Sequence, residues 1–87
     1  MVISINKFGD ILVSRPAGKE SFLMAKAYII NGISSAEKIV LDFSNVKVLT
    51  PSWADEFVTG LKNEYKNQLE YINTTNETVS ASLKTIL

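Results

Sequence analysis

A short segment in the middle of the chain holds most of the side chains that could carry out chemistry. Thr50, Ser52, Asp55 and Glu56 lie within seven residues of one another, and Asp42 precedes them at the end of an apolar run. A hydroxyl can act as a nucleophile, and a carboxylate can transfer protons. Each of these reactions requires a second group held close by the fold.

The composition removes most of the second groups that catalysis requires. The chain has 87 residues with no Cys and no His, so it lacks thiol nucleophiles, disulfides, the commonest metal ligand and the commonest general base. Asp55 and Glu56 are neighbours on a predicted helix and point about 100° apart, so they cannot readily flank one bond. We therefore expect no enzyme, no metal site and no cofactor. A strongly raised carboxyl pKa inside a cleft, at Asp42, Asp55 or Glu56, would be needed to support an enzyme.

Hydrophobic patterning predicts the elements that position these side chains. We predict four strands, at residues 2–5, 11–13, 38–43 and 69–72, and an extended stretch at residues 46–49. We predict three helices, from about residue 19 to the glycine at 32, from 52 to about 68, and around Val79, Leu83 and Ile86. Residues 15–18 contain Pro and Gly and are interpreted as a break before the first helix.

These elements predict an α/β fold in the order β-β-α-β-α-β-α, as one domain over residues 1–87. The first two strands are expected to form a hairpin, within a mixed sheet that has helices packed on it. Ser52 is interpreted as the N-cap of the second helix, with Asp55 completing a capping box. Trp53 shares a helical stripe with Phe57, which favours core packing.

Charge and hydropathy restrict the expected partners. Nine Lys and Arg residues balance nine Asp and Glu residues and are spread along the chain, so we expect no nucleic-acid binding. No apolar run is long enough to span a membrane, and residues 1–10 lack the plan of a signal peptide, which predicts a cytoplasmic protein. A domain this small gains from association, so we expect a monomer or a weak homodimer.

Residues 41–57 resemble the central motif of the STAS superfamily, the sulfate transporter and anti-sigma factor antagonist domains. The motif here is a Leu-Asp-Phe-Ser strand, then Asn-Val-Lys-Val-Leu, then a Pro-Ser break into a helix that begins Trp-Ala-Asp-Glu-Phe. The Ala-Asp-Glu portion is more closely similar to the STAS-like domains of unknown function. In that family an Arg often follows the Ser at the start of the first helix; here we match that Ser to Ser21, which Phe22 follows.

The resemblance implies a regulatory role with a specific contact loop. In anti-sigma factor antagonists this loop reads Asp-Ser-Ser-Gly, and an anti-sigma kinase phosphorylates its first Ser. Here Thr50 stands in place of the Asp, Pro51 in place of the phosphorylated Ser, and Ser52 matches the second Ser. Thr50 and Ser52 are thus the candidate phosphorylation sites. The resemblance implies a regulatory protein as partner, such as a histidine-kinase-type ATPase.

Two functional hypotheses from different classes follow. The leading one is a non-enzymatic module that binds a partner protein through the loop and helix start at Thr50, Pro51, Ser52, Trp53, Asp55 and Glu56. The alternative is a domain that binds a small ligand, such as a nucleotide, at the strand ends near Asp42 and Thr50. A deep pocket lined by Asp42 and Thr50 would favour the alternative.

Overall fold

The computed structural model describes all 87 residues, as five strands and three helices. The strands are β1 (Val2–Ser4), β2 (Ile11–Leu12), β3 (Ile39–Asp42), β4 (Val48–Leu49) and β5 (Leu69–Ile72). The helices α1 (Arg15–Tyr28) and α3 (Glu77–Ile86) are regular. The helix α2 runs through three consecutive stretches, α-helical Pro51–Ala54, π-helical Asp55–Thr59 and α-helical Gly60–Tyr65, and a 3-10 turn at Lys66–Gln68 follows it. No helix combines the length and apolar character that crossing a bilayer requires.

The α/β class is confirmed, but the strands pair differently from the prediction. β3 lies between β1 and β5, and both pairings are parallel; β2 and β4 form a second, two-stranded parallel sheet. The predicted hairpin between the first two strands is therefore wrong, and two small parallel sheets replace the mixed sheet. With Val48–Leu49 as a strand, the order becomes β-β-α-β-β-α-β-α.

A 3-10 helix between β1 and β2 explains the lost hairpin. Ile5–Phe8 coils instead of turning. Residues three apart share a face of a 3-10 helix, and here Ile5 is buried while Phe8 packs against Phe57 with ring centroids 5.1 Å apart. Packing these two side chains against the core directs the backbone away from β1, and β2 pairs with β4.

The first helix begins four residues earlier than the sequence predicted, at Arg15. Ser14 is its N-cap, with φ at 77°, and its hydroxyl accepts a hydrogen bond from the Ala17 N–H at 3.3 Å. Pro16 lies in the first turn, where a missing N–H leaves no hydrogen bond unmade. The residues interpreted as a break are thus the first turn of α1.

The start of α2 also differs from the prediction. Thr50 is the N-cap, because its Oγ1 accepts a hydrogen bond from the Trp53 N–H at 3.5 Å. Pro51 follows in the first turn, and Ser52 is already helical, so the capping box of Ser52 and Asp55 does not form. The Thr50 hydroxyl also donates to the Leu12 carbonyl at 3.1 Å, which ties the start of α2 to β2.

The two long helices meet at a glycine. A Cβ added to Gly18 of α1 would lie 2.5 Å from the Trp53 carbonyl oxygen and 3.0 Å from the Trp53 Cα. The Trp53 ring is buried and stacks on Phe57 at 4.8 Å between centroids. Backbone contact at Gly18 therefore sets the first turn of α1 directly on the first turns of α2.

The third helix, α3, makes hydrogen bonds to residues 47–49, which lead to α2. Asn76, its N-cap, donates from Nδ2 to the Lys47 carbonyl at 3.1 Å and accepts hydrogen bonds from the Thr78 and Val79 N–H groups. The buried Ser82 hydroxyl donates to the Leu49 carbonyl at 2.8 Å. Lys47 precedes β4 and Leu49 ends it, so α3 holds the residue that precedes the Thr50 cap.

We predict that Gly18→Ala destabilises the protein by about 1–3 kcal/mol, because the new methyl group overlaps the Trp53 carbonyl. Within an uncrowded helix the same change stabilises by about 0.5–1 kcal/mol, so the sign of the effect is the test. Urea unfolding measures it, with Lys62→Ala as a control at an exposed position of α2. A Gly18→Ala protein as stable as the wild type would contradict the close contact.

Candidate functional site

The turn that enters α2 lies at the surface. Pro51 is exposed, and Thr50 and Ser52 are half-exposed. The Thr50 hydroxyl is fully engaged, since it donates to Leu12 and accepts from Trp53. The Ser52 hydroxyl has no hydrogen-bond partner within the chain, so of the two candidate phosphorylation sites it alone is free.

Trp53 occupies a different environment from its neighbours. Its side chain is 1% exposed and packs against Phe8 and Phe57. The structure places it in the core, beneath the turn, and not on the surface that we expected to contact a partner. Its packing fixes the direction in which Pro51 and Ser52 project.

Asp55 and Glu56 converge on one cation that the sequence analysis did not select. The Nη1 of Arg15 donates to Asp55 Oδ2 at 2.7 Å and to Glu56 Oε2 at 3.0 Å. The Thr59 hydroxyl donates to the other Asp55 oxygen at 3.0 Å. Asp55 and Thr59 begin and end the π-helical stretch, so this network joins the first turn of α1 to the irregular turn of α2. We call Arg15, Asp55 and Glu56 the Arg15 cluster.

The electrostatics of this cluster do not suit acid catalysis. Hydrogen bonds from Arg15, and then from Thr59, lower the pKa of Asp55 below its ordinary value of 3.8. The hydrogen bonds to Asp55, and then to Glu56, raise the pKa of Arg15. A general acid at neutral pH requires a raised carboxyl pKa, and Asp55 is shifted in the opposite direction.

Asp42 lies at the end of β3, as predicted, but its carboxylate has a structural environment. Its Oδ1 accepts hydrogen bonds from the Ser44 N–H at 2.9 Å, the Ser44 hydroxyl at 2.7 Å and the Asn73 amide at 2.9 Å. The Asn73 bond, followed by the two from Ser44, lowers the pKa of Asp42. The carboxylate thus links the ends of β3 and β5.

The structure does not bring Asp42 and Thr50 into a common pocket. Asp42 belongs to the three-stranded sheet, whereas Thr50 follows β4 of the other sheet. No cavity is present at either residue or elsewhere on the surface. The deep pocket on which the ligand-binding hypothesis depended is absent, and no group of acidic side chains has the arrangement of a metal site.

Arg15 is the residue that sequence reasoning missed, and one signal could have identified it. Ser14 caps α1, which begins at Arg15 with Pro16 in its first turn, a pattern typical of a helix start. Ser21 and Phe22, which we had placed at the start of this helix, lie in its middle. Reading Pro16 as a first-turn residue would have placed the helix start correctly.

The fold and this cluster together define a small α/β domain whose ordered polar surface lies at a helix start. The chain belongs to the family of STAS-like domains of unknown function, whose model matches residues 26–79. The match includes all of α2, whereas Arg15 and Gly18 precede it. STAS-like domains are generally non-enzymatic. No match was found among the curated proteins or among the solved structures.

We predict that Arg15→Met raises the pKa of Asp55 toward its ordinary value, because the largest stabilising hydrogen bond to the carboxylate is lost. A group with a lowered folded pKa adds stability above its unfolded pKa and loses it as the pH falls through the folded value. The Arg15→Met protein should therefore lose less stability than the wild type on acidification below pH 3.8.

Carboxyl carbon NMR titration measures the Asp55 pKa directly. The control is Lys47→Met, which removes a longer ion pair of 3.5 Å to Asp10. It should leave the Asp55 titration unchanged. An Asp55 pKa that is the same in Arg15→Met and wild type would show that the Arg15 cluster does not form in solution.

Proposed function

We propose that this protein is a small regulatory module that binds a partner protein through the turn at Thr50, Pro51 and Ser52 and the adjoining carboxylates Asp55 and Glu56. The observation that carries the proposal is the exposed Pro51 and the free Ser52 hydroxyl, on a turn that the Thr50 cap holds beside the Arg15 cluster. Trp53 contributes from beneath, as the buried anchor of the turn.

Rigidity supports a binding role for this turn. Its backbone is held by the Thr50 cap, by the Leu12 contact and by the packing of Gly18 on Trp53. A surface that is ordered before binding loses little conformational entropy on association. A surface without a cavity suits contact with another protein better than enclosure of a small molecule.

The charge of the surface supports control by phosphorylation at Ser52. Asp55 and Glu56 follow Ser52 by three and four residues, so the three side chains lie on the same side of α2. A phosphate on Ser52 would add about two negative charges beside two carboxylates and compete with them for Arg15. Phosphorylation would thus change the charge of the contact surface. It would also change the contacts of Arg15, which joins this surface to α1.

The class of partner follows from the resemblance to anti-sigma factor antagonists. Those proteins bind anti-sigma kinases, and we propose a regulatory protein of this class, such as a histidine-kinase-type ATPase, as the partner here. Such an ATPase would also transfer the γ-phosphoryl group of ATP to the Ser52 hydroxyl oxygen, with release of ADP and of the hydroxyl proton.

We predict that Ser52→Asp weakens capture of the partner from the native cell lysate by at least about tenfold, because a new carboxylate alters the contact surface. Ser35→Asp is the matched control, since Ser35 is exposed in the loop before β3. Mass spectrometry identifies the captured protein and also reports phosphate on the bait. Titration with the purified partner then gives the two affinities.

The expected result is one regulatory protein retained by the wild type and by Ser35→Asp, and lost with Ser52→Asp. Phosphate found on Ser52 in the native protein would support the switch. Equal capture by all three baits would exclude this turn as the contact, and capture of no protein by the wild type would count against the module itself.

A further inference from the structure

One face of α1 carries an unusual set of exposed apolar side chains. Leu23 is 51% exposed, Met24 49% and Tyr28 84%, and Ala27 is exposed between them. These four residues form two pairs spaced four apart, so they are contiguous on the helix surface. We call Leu23, Met24, Ala27 and Tyr28 the α1 ridge.

The ridge has no role within the fold. α1 packs on α2 through its opposite side, where Gly18 and Ala25 are buried. On that side the Phe22 ring lies 3.0 Å from the position that a Gly60 Cβ would occupy. Scattered exposed apolar residues are ordinary, but a contiguous apolar strip on a helix marks an interaction surface. The ridge lies on the side of α1 away from α2, so it is distinct from the Arg15 cluster.

Two charged residues at the end of the ridge indicate what covers it. Lys19 and Glu20 are exposed and neither has an ion-pair partner, although the nearby Lys26 is paired with Glu64 at 2.7 Å. Lys19 precedes Leu23 and Ala27 in one row of residues spaced four apart, and Glu20 precedes Met24 and Tyr28 in the neighbouring row. The two charges, one of each sign, therefore lie on opposite sides of the line between the two apolar rows.

We propose that the α1 ridge binds a second copy of this chain, with the two α1 helices parallel about a two-fold axis. In that arrangement the Lys19 side of one helix packs beside the Glu20 side of its copy. Lys19 of each chain then faces Glu20 of the other, which gives two ion pairs. The line between the two apolar rows lies along the axis, and the small Ala27 permits close approach. An antiparallel pairing separates the two charged sites to opposite ends and forms neither ion pair.

The size of the ridge predicts a weak dimer. Stable interfaces bury about 800 Å² per partner, involving about 20–30 residues, and four apolar side chains with two charges provide only part of that. The dimer is therefore expected to dissociate on dilution, and salt is expected to weaken it. Self-association through α1 is independent of the proposed contact at Ser52.

A charge exchange tests this arrangement without disturbing the core. We predict that Lys19→Glu, or Glu20→Lys, lowers the association constant by about tenfold, because each change converts two attractive pairs into two repulsive ones. The double exchange, Lys19→Glu with Glu20→Lys, restores both pairs and should recover wild-type association. Sedimentation equilibrium over a wide concentration range measures the constants, and circular dichroism checks the fold.

A second pair of variants tests the apolar contact. Leu23→Gln should weaken association by about tenfold or more. Ile11→Thr, at a comparably exposed apolar residue of β2, should not. A wild-type protein that is monomeric at every concentration would overturn the proposal. So would a dimer that Leu23→Gln leaves intact, or one that the double exchange fails to restore.

Discussion

The contact between Gly18 and Trp53 is the constraint on which the arrangement of the site depends. Only a residue without a Cβ allows α1 to reach the backbone of α2 at this point, because any other side chain would begin 2.5 Å from a carbonyl oxygen. Arg15 lies one turn before Gly18, and Asp55 and Glu56 lie just after Trp53. The close approach therefore brings the guanidinium to 2.7 Å from the Asp55 carboxylate and 3.0 Å from the Glu56 carboxylate.

Hydrogen bonds from three directions complete the positioning of the turn. Thr50 ties the start of α2 to β2, Ser82 ties the preceding residue to α3, and Asn76 holds the loop before β4. These side chains are small and polar, and each donates a hydrogen bond to a backbone carbonyl in β2, in β4 or in the loop before β4. Separate hydrogen bonds, led by that from Asn73 at Asp42 and that from Arg15 at Asp55, lower the pKa values of these two carboxylates.

The sequence predicted the elements well where hydrophobic periodicity is strong, and less well where contacts distant in sequence decide. The buried run at β3 and the stripe of Trp53, Phe57 and Leu61 in α2 are visible as patterns. The pairing of β2 with β4 is not visible as a pattern, because a two-residue strand is too short for its sequence to indicate which strand it pairs with. The start of α1 could have been predicted from Ser14 and Pro16. The contact between Arg15 and Asp55 could not, because it depends on how two helices pack that place residues 40 positions apart in the sequence side by side.

The most direct test of this account is the set of NOE contacts from the Gly18 Hα protons in solution. The account predicts strong contacts to the backbone of Trp53 and to the Glu56 side chain, whose Cβ lies 3.1 Å from the position that a Gly18 Cβ would occupy. Contacts from Gly18 that reach only its own helix would contradict it. In that case α1 and α2 would not meet at this residue, and neither the Arg15 cluster nor the ordered turn at Ser52 would have a structural basis.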